Sequence, residues 1–200
     1  MKLTNTKVKI LESALDFFSS NGYSGASIRQ IARSIGIRES AIYNHFKSKE
    51  EIFLAILTQF KKKTIGKDVL SDELLDEAVN PEIFLGKFAL RLFEHWGKPD
   101  ERKFLRLLLM EQFTQIGNKE LSTLDYLNEI QKICELIFGE MVKNGIIRKF
   151  DPALLAHEFI APLFLIRTEH LTPEDQKKSS SVLERVNNHV SFFWSSIKIN

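Results

Sequence analysis

The segment from residue 38 to residue 49 concentrates side chains that can hydrogen-bond to nucleic-acid bases and phosphates. Arginine can pair with guanine and asparagine with adenine at two points, glutamate can accept from cytosine N4, and an alanine methyl can touch the thymine methyl. Lys49 would bind a phosphate as a point charge, beside the exposed amides that begin a following helix. The residues expected to face base edges are Arg38, Glu39, Ser40, Ala41 and Asn44.

Two short helices joined by a tight turn would position these side chains. Ser27 and Gln30 have the spacing of a capping box, which predicts a helix start, although the Ser27 hydroxyl could also bind a phosphate. Gly36 is best able to adopt the left-handed conformation that stops a helix. The pattern predicts a helix-turn-helix, in which one helix crosses the DNA backbone and the other enters the major groove. The apolar positions at helical spacing are Ile28, Ile31, Ala32 and Ile35, then Ile37, Ala41, Ile42 and Phe46.

Residues 7–57 resemble the DNA-binding domain of the TetR family of bacterial transcriptional regulators. The resemblance implies that Tyr43 and His45 contact phosphates. The chain departs from the usual family pattern at Ser40 and Ala41, where Gly and Thr are common. The matching residues are Ile10, Ala14, Phe18, Gly22, Ser27, Ile31, Ala32, Gly36, Ile37, Ile42, Tyr43, His45, Phe46, Ser48, Lys49 and Glu50.

Several of these residues have a simpler interpretation. Tyr43 and Phe46 could serve only as core packing, and His45 could be a surface histidine without a partner. Lys49 could be an ordinary solvated lysine. Glu39 is an acid in a site for a polyanion, so it would either repel wrong sequences or pair with Arg38.

Helical spacing recurs along the whole chain, and strand-like alternation is absent over any useful length. We therefore expect an all-α fold, with a three-helix helix-turn-helix DNA-binding domain at residues 1–47 and a helical effector-binding and dimerisation domain at residues 48–200. Stop and start signals divide the helices, and Pro162 should kink the helix that contains it. These signals are Asn21-Gly22, Ser48 to Glu51, Asn80-Pro81, Gly97 with Pro99, Asn144-Gly145 and Asp151-Pro152.

Composition and charge fit this interpretation. The net charge is +2, but residues 1–63 hold 11 Lys or Arg and only 5 Asp or Glu, so the basic excess lies in the segment that would meet phosphate. The single cysteine, Cys134, excludes an internal disulfide and favours the reducing cytoplasm, where we read it as a small core residue. The sequence shows neither a signal-peptide pattern nor a membrane span.

An enzyme is not expected. His95, His157, His170 and His189 lack the spacing of metal ligands or of a nucleophile and its base, so neither a metal nor a cofactor is predicted.

One helix-turn-helix reads few base pairs, so we expect a homodimer on a palindromic operator of double-stranded DNA. The resemblance implies that the last two helices pair with their twins in a four-helix bundle, and packing within the chain is the alternative for the same stripe. The predicted interface residues are Pro162, Phe164, Val182, Val186, Val190, Phe193, Trp194 and Ile197.

The middle helices are rich in aromatic side chains. In the family such helices enclose a cavity whose ligand releases DNA, and an apolar or aromatic small molecule would suit this lining. Ordinary core packing is the alternative for each residue. The predicted lining residues are Phe84, Phe88, Trp96, Phe104, Met110, Phe113, Phe138, Met141 and Phe159.

The sequence thus predicts a transcriptional regulator, specifically a repressor that an effector releases from its operator. Two alternatives remain open at this point. The second domain could bind a protein in place of a small molecule, or the protein could act as an activator.

Overall fold

A computed structural model describes residues 5–62, 66, 69–116, 123–169, 171 and 179–199. Helices dominate these ranges, and one isolated antiparallel bridge joins Ile147 to Lys198. Two compact units are formed, the first by Met1–Lys63 with Pro99–Tyr126 and the second by Thr64–Lys98 with Leu127–Asn200. Compact units need not coincide with functional domains, so the predicted domain boundary after residue 47 stays a prediction.

The first unit contains five helices in its described part. They are α1 (Asn5–Gly25), α2 (Ile28–Ser34), α3 (Glu39–Tyr43), α4 (Lys49–Lys62) and α7 (Pro99–Glu111). One apolar core holds them together, with Phe18 of α1, Phe53 of α4 and Ile31 of α2 all fully buried. Each buried side chain of this size contributes roughly 1.5–3 kcal/mol relative to exposure. The core therefore gives the short helices α2 and α3 a rigid support that their own length could not provide.

The second unit contains the remaining described helices. They are α5 (Asp72–Asp76) with a 3₁₀ turn (Glu77–Val79), α6 (Pro81–Gly97), α8 (Thr123–Lys143), α9 (Pro152–Thr168) and α10 (Ser179–Ile197). The aromatic rings of Phe88, Phe138, Phe159 and Phe193 meet in its centre, with centroids 5.1–6.3 Å apart. Because α9 is apolar on most of its sides, it lies in the middle of this unit and packs against α6 and α10.

The predicted helix boundaries are largely confirmed, because they rest on local caps. Asn80 Oδ1 accepts a hydrogen bond from Ile83 N, and Asp151 Oδ1 accepts one from Ala153 N. The left-handed Gly145 follows α8, with φ +66°. Helix α9 continues through Pro162 to Thr168. In the described ranges, no helix combines the length and apolarity needed to cross a membrane.

Cys134 is confirmed as a core residue. It is a free thiol, buried in α8, and its burial raises the pKa of the thiol well above the ordinary value. The described residues contain no group of three or more His, Cys, Asp or Glu side chains that could hold a metal ion. His170, one of the four histidines without metal-ligand spacing, lies outside the described residues.

Candidate nucleic-acid interface

Helix α2 begins at the predicted capping box. The Ser27 hydroxyl oxygen accepts a hydrogen bond from Gln30 N at 3.3 Å, and the Gln30 side-chain oxygen accepts one from Ser27 N at 2.8 Å. The Ser27 hydroxyl also donates to the same Gln30 oxygen. Its role as a helix cap is therefore observed, while its contact with a phosphate stays a prediction.

The turn between α2 and α3 is closed by Gly36 in the left-handed conformation, with φ +71°. Ile37 N donates to Ala32 O at 3.0 Å across this turn. A Cβ added at Gly36 would meet no atom within 4 Å, so the need for glycine is conformational and not steric. The turn fixes the angle at which α3 leaves α2.

Helix α3 presents a polar face on an apolar base. Ile42 and Phe46 are buried, so Phe46 has the core role that was the simpler interpretation. Tyr43 is 50% exposed and does not belong to the core. Ala41 and His45 are half-buried at the edge of the face. The exposed positions are Arg38, Glu39, Ser40, Tyr43 and Asn44.

Three arginines surround a depression at the start of this face. Arg29 and Arg33 of α2 join Arg38 there, beside Glu39, and the depression has a volume of about 400 Å³. Sequence reasoning did not single out Arg29 and Arg33, although a separation of four residues places them on one helix face. Guanidinium groups bind phosphate oxygens through two parallel hydrogen bonds. This cluster therefore offers three guanidinium groups to an anion.

Lys49 points inward and does not resemble a solvated lysine. Its ammonium group donates to Tyr23 O at 2.8 Å and to Ala26 O at 2.9 Å, and lies 4.3 Å from the centroid of the Tyr23 ring. Burial, followed by the charge of Glu50, raises the pKa of Tyr23 above its ordinary value, so the ring stays neutral. Two of the three ammonium protons therefore hold the end of α1 and the residue that follows it, directly before the helix-turn-helix.

A second charged group holds the same segment from the other side. Helix α1 breaks at Gly22, with φ +73°, and the Tyr23 N–H donates to the buried carboxylate of Glu111 at 2.7 Å. A Cβ at Gly22 would lie 3.0 Å from that carboxylate oxygen. Glu111 is the last residue of α7, so α7 and α4 both bind the backbone of Tyr23. Sequence reasoning missed this contact because 88 residues separate its two partners.

The predicted ligand-lining residues divide between the two units. Six of them are buried in the second unit: Phe84, Phe88, Trp96, Phe138, Met141 and Phe159. Phe104 belongs to the first unit, where its ring stacks on Phe60 at 3.9 Å. Met110 is exposed, and Phe113 is 93% exposed. The prediction is corrected for Phe113, because α7 ends at Glu111 and this side chain follows the helix into solvent.

The predicted dimer interface also needs a correction. Four residues of α10 are buried within the second unit of a single chain, where Phe193 packs on Phe138 and Phe159: these are Val186, Val190, Phe193 and Ile197. They are the inner face of α10, which was the alternative interpretation. Pro162, Phe164, Val182 and Trp194 are half-buried. Exposed apolar side chains on α9 and α10 are instead Leu154, Ala161, Leu165, Leu183 and Phe192.

The comparisons with known proteins agree with this geometry. Residues 10–56 match the model of the bacterial regulatory proteins of the tetR family. The chain is 42% identical over 55 residues to the transcriptional repressor AcnR of Corynebacterium glutamicum, which covers 28% of this chain and 29% of AcnR. It is 32% identical over 120 residues to the repressor KstR2 of Mycolicibacterium smegmatis, which covers 56% of this chain and 57% of KstR2.

The chain thus spans less than two thirds of the curated relatives it matches. The fold comparison extends over nearly the whole molecule. A TetR-family regulator of Mesorhizobium loti superimposes with a TM-score of 0.75, covering 98% of this chain and 100% of that one, at 22% identity. Residues 10–56 thus match the TetR family of bacterial regulatory proteins, and the fold of both units is similar to that of a solved TetR-family regulator.

Proposed function

We propose that this protein is a sequence-specific DNA-binding transcriptional regulator that acts as a homodimer on a palindromic operator. The observation that carries the proposal is the exposed polar face of α3, which stands beside three arginines on a rigid, capped support. The match of residues 10–56 to a family of bacterial regulatory proteins supports a regulatory role.

In this proposal the side chains have three roles, which are base contact, phosphate contact and support of the helix-turn-helix. The side chains proposed to contact base edges in the major groove are Arg38, Glu39, Ser40, Ala41 and Asn44. Arg29 and Arg33, on one face of the preceding helix, contact phosphates at one side of that groove, and Tyr43, His45 and Ser27 complete the phosphate contacts. Lys49 has a different role in this proposal, because its ammonium group holds the start of the helix-turn-helix.

The dimer surface is assigned to the exposed apolar side of the last two helices. Leu154, Ala161 and Leu165 of α9 are seven and four residues apart, so they share one helix face. Leu165 is 57% exposed, and Phe192 of α10 is 72% exposed. Large exposed apolar side chains that group on one helix face are typical of a surface that a partner covers. A two-fold pair would present its recognition helices to half-sites about 34 Å apart, or a multiple of that distance.

Repression with release by an effector is the finer part of the proposal. AcnR and KstR2, to which this chain is similar over part of its length, are both named as HTH-type transcriptional repressors. The aromatic interior of the second unit favours an effector with an apolar or aromatic body. A coupling of about 1–3 kcal/mol between effector and operator would change operator affinity roughly 5–150-fold.

Salt-dependent binding tests the DNA interface. Fluorescence anisotropy with a labelled random-sequence duplex should give tight binding in dilute buffer and a linear fall of log K with log salt. Arg29→Ala and Arg33→Ala should each reduce the slope by about 0.9, because each removes one phosphate contact. Lys132→Ala, an exposed lysine of the second unit, is the matched control and should leave the slope unchanged. Equal slopes for all three variants and the parent protein would contradict the proposed interface.

Sedimentation equilibrium tests the dimer surface. The parent protein should sediment at twice its chain mass of 23.1 kDa. A Leu165→Asp and Phe192→Asp double variant should sediment at the mass of one chain, because it places two charges on the proposed surface. Leu136→Asp is the control, since Leu136 is an exposed apolar residue of α8. A parent protein that stays at one chain mass would refute the homodimer.

A further inference from the structure

An unusual polar pair lies inside the second unit. Arg167, in the last turn of α9, is only 4% exposed, and its guanidinium carbon lies 4.7 Å from the centroid of the Trp96 ring. Trp96, near the end of α6, is 1% exposed. Arginine is rarely buried to this degree, because removing its charge from water is costly. The guanidinium has other contacts within the protein as well, and a hydrophobic pair of similar volume would fill the same space without that cost in free energy.

The indole N–H of Trp96 provides the second observation. It is buried, and in the described part of the chain it has no hydrogen-bond acceptor. A buried donor without an acceptor costs roughly 1–3 kcal/mol, and such groups are uncommon in folded proteins. A molecule that brings an acceptor to this nitrogen would recover that free energy.

We propose that Trp96 and Arg167 form the polar end of an effector site, and that this site binds the carboxylate of an amphipathic acid. A carboxylate accepts hydrogen bonds at both oxygens, so it can take one from the indole N–H and others from the guanidinium. The guanidinium has five N–H donors in a planar fork, and can serve a ligand in addition to its contacts within the protein. The proposal rests on the proposed function, of which it names the effector class.

The rings around Trp96 suit the apolar body of such an acid. Phe93 packs edge-on against Trp96 with centroids 5.5 Å apart, and Phe164 does so at 6.5 Å. Both phenylalanines are half-buried, so the apolar rings that contact Trp96 are only partly covered. An acid with an aromatic or aliphatic body would pack this body against the rings while its carboxylate binds the polar pair. A small inorganic anion would make no contact with the rings.

Two matched pairs of probes test the proposal on the full chain without DNA. Isothermal titration calorimetry would compare 2-naphthoate with 2-naphthalenemethanol, and decanoate with 1-decanol. At least one acid should bind about tenfold or more tightly than its alcohol, because hydrogen bonds to a charged group are the stronger ones. The proposal is overturned if neither acid binds more tightly than its alcohol.

Two variants locate the site. Trp96→Phe keeps an aromatic ring near the guanidinium and removes the N–H together with part of the indole. It should weaken the acid about tenfold, whereas the alcohol, which loses only packing, should stay within threefold. Arg167→Met should abolish the preference for the acid, and Arg106→Met, an exposed arginine of the first unit, should preserve it. If Arg167→Met does not fold, Trp96→Phe still decides, since an unchanged acid affinity in that variant would also overturn the site.

The same acid, added to a protein–operator complex, separates this proposal from the proposed function. Release of DNA by the acid supports both. Binding of the acid without any change in DNA affinity leaves the site in place and contradicts repression released by an effector. Normal DNA binding in a protein that shows no preference for either acid contradicts only the acid site.

Discussion

Replacement of Lys49 by methionine tests whether this lysine positions the helix-turn-helix or binds a phosphate. Methionine keeps an unbranched apolar side chain over Tyr23 and removes the ammonium group. The two carbonyls of Tyr23 and Ala26, at 2.8 and 2.9 Å, then lose a charged donor. Hydrogen bonds to charged groups contribute roughly 1.5–3 kcal/mol each, and an exposed cation–π contact about 0.5–1 kcal/mol.

The variant should lose less free energy of unfolding than the sum of the two hydrogen bonds and the cation–π contact, because Lys49 is half-buried and water can reach the two carbonyls. We expect a loss of about 2 kcal/mol in the free energy of unfolding, which is roughly 4–8 °C in Tm for a chain of this size. Urea denaturation followed by circular dichroism would measure it. Lys47→Met is the control, because the Lys47 side chain is exposed, and its stability should match that of the parent protein.

The salt dependence of DNA binding distinguishes a positioning role of Lys49 from a phosphate contact. A lysine that neutralises one phosphate contributes about 0.9 to the slope of log K against log salt. We expect Lys49→Met to leave that slope unchanged on random-sequence duplex. Unchanged stability together with a slope reduced by about 0.9 would refute the positioning role and restore the phosphate contact expected from sequence.

Three further outcomes are expected. Asn44→Ala should relax base preference at one operator position, at a cost of about 1–3 kcal/mol, whereas equal losses on operator and random DNA would rule it out as a base reader. Glu111→Leu should lower the free energy of unfolding by about 1–3 kcal/mol, because it leaves the Tyr23 N–H without its acceptor. Glu111→Gln keeps an acceptor and should lower it by less than half as much. Equal decreases for the two variants, measured by urea denaturation, would contradict this role of Glu111. Burial lowers the pKa of His189, and its hydrogen bond to Phe159 O raises that pKa by a smaller amount. As the pH falls, the unfolded chain therefore binds the proton before the folded chain does. The free energy of unfolding should decrease as the pH drops below about 6.5. His189→Gln should lose less stability between pH 7.5 and pH 5.0, and identical pH profiles would exclude this residue as the cause.

The parts of the fold that sequence predicts are those that local chemistry decides. The features that depend on residues within five positions of one another are the capping box of Ser27, the left-handed Gly36 and Gly145, and the capped start of α6 at Asn80. The helix-turn-helix combines several such signals within about twenty residues. For that reason its two helices and its exposed face are predictable from the amino-acid sequence alone.

The features that sequence did not predict depend on distant partners. Lys49 meets carbonyls 23 and 26 positions away, and the Glu111 contact with Tyr23 spans 88 positions. Periodicity identified the apolar stripe of α10 correctly, but a stripe does not reveal whether its own chain or a second copy covers it. The side chain of Phe193 is buried within its own chain, whereas the side chain of the neighbouring Phe192 is exposed.

Selection of bound fragments from a pool of random duplex DNA tests the central claim most directly. A two-fold pair of α3 helices should enrich a palindrome whose half-sites are centred about 10 base pairs apart, or a multiple of that spacing. The Asn44→Ala protein should enrich the same palindrome with one position relaxed. Recovery of fragments with no shared sequence, or no retention of duplex DNA in dilute buffer, would contradict the account.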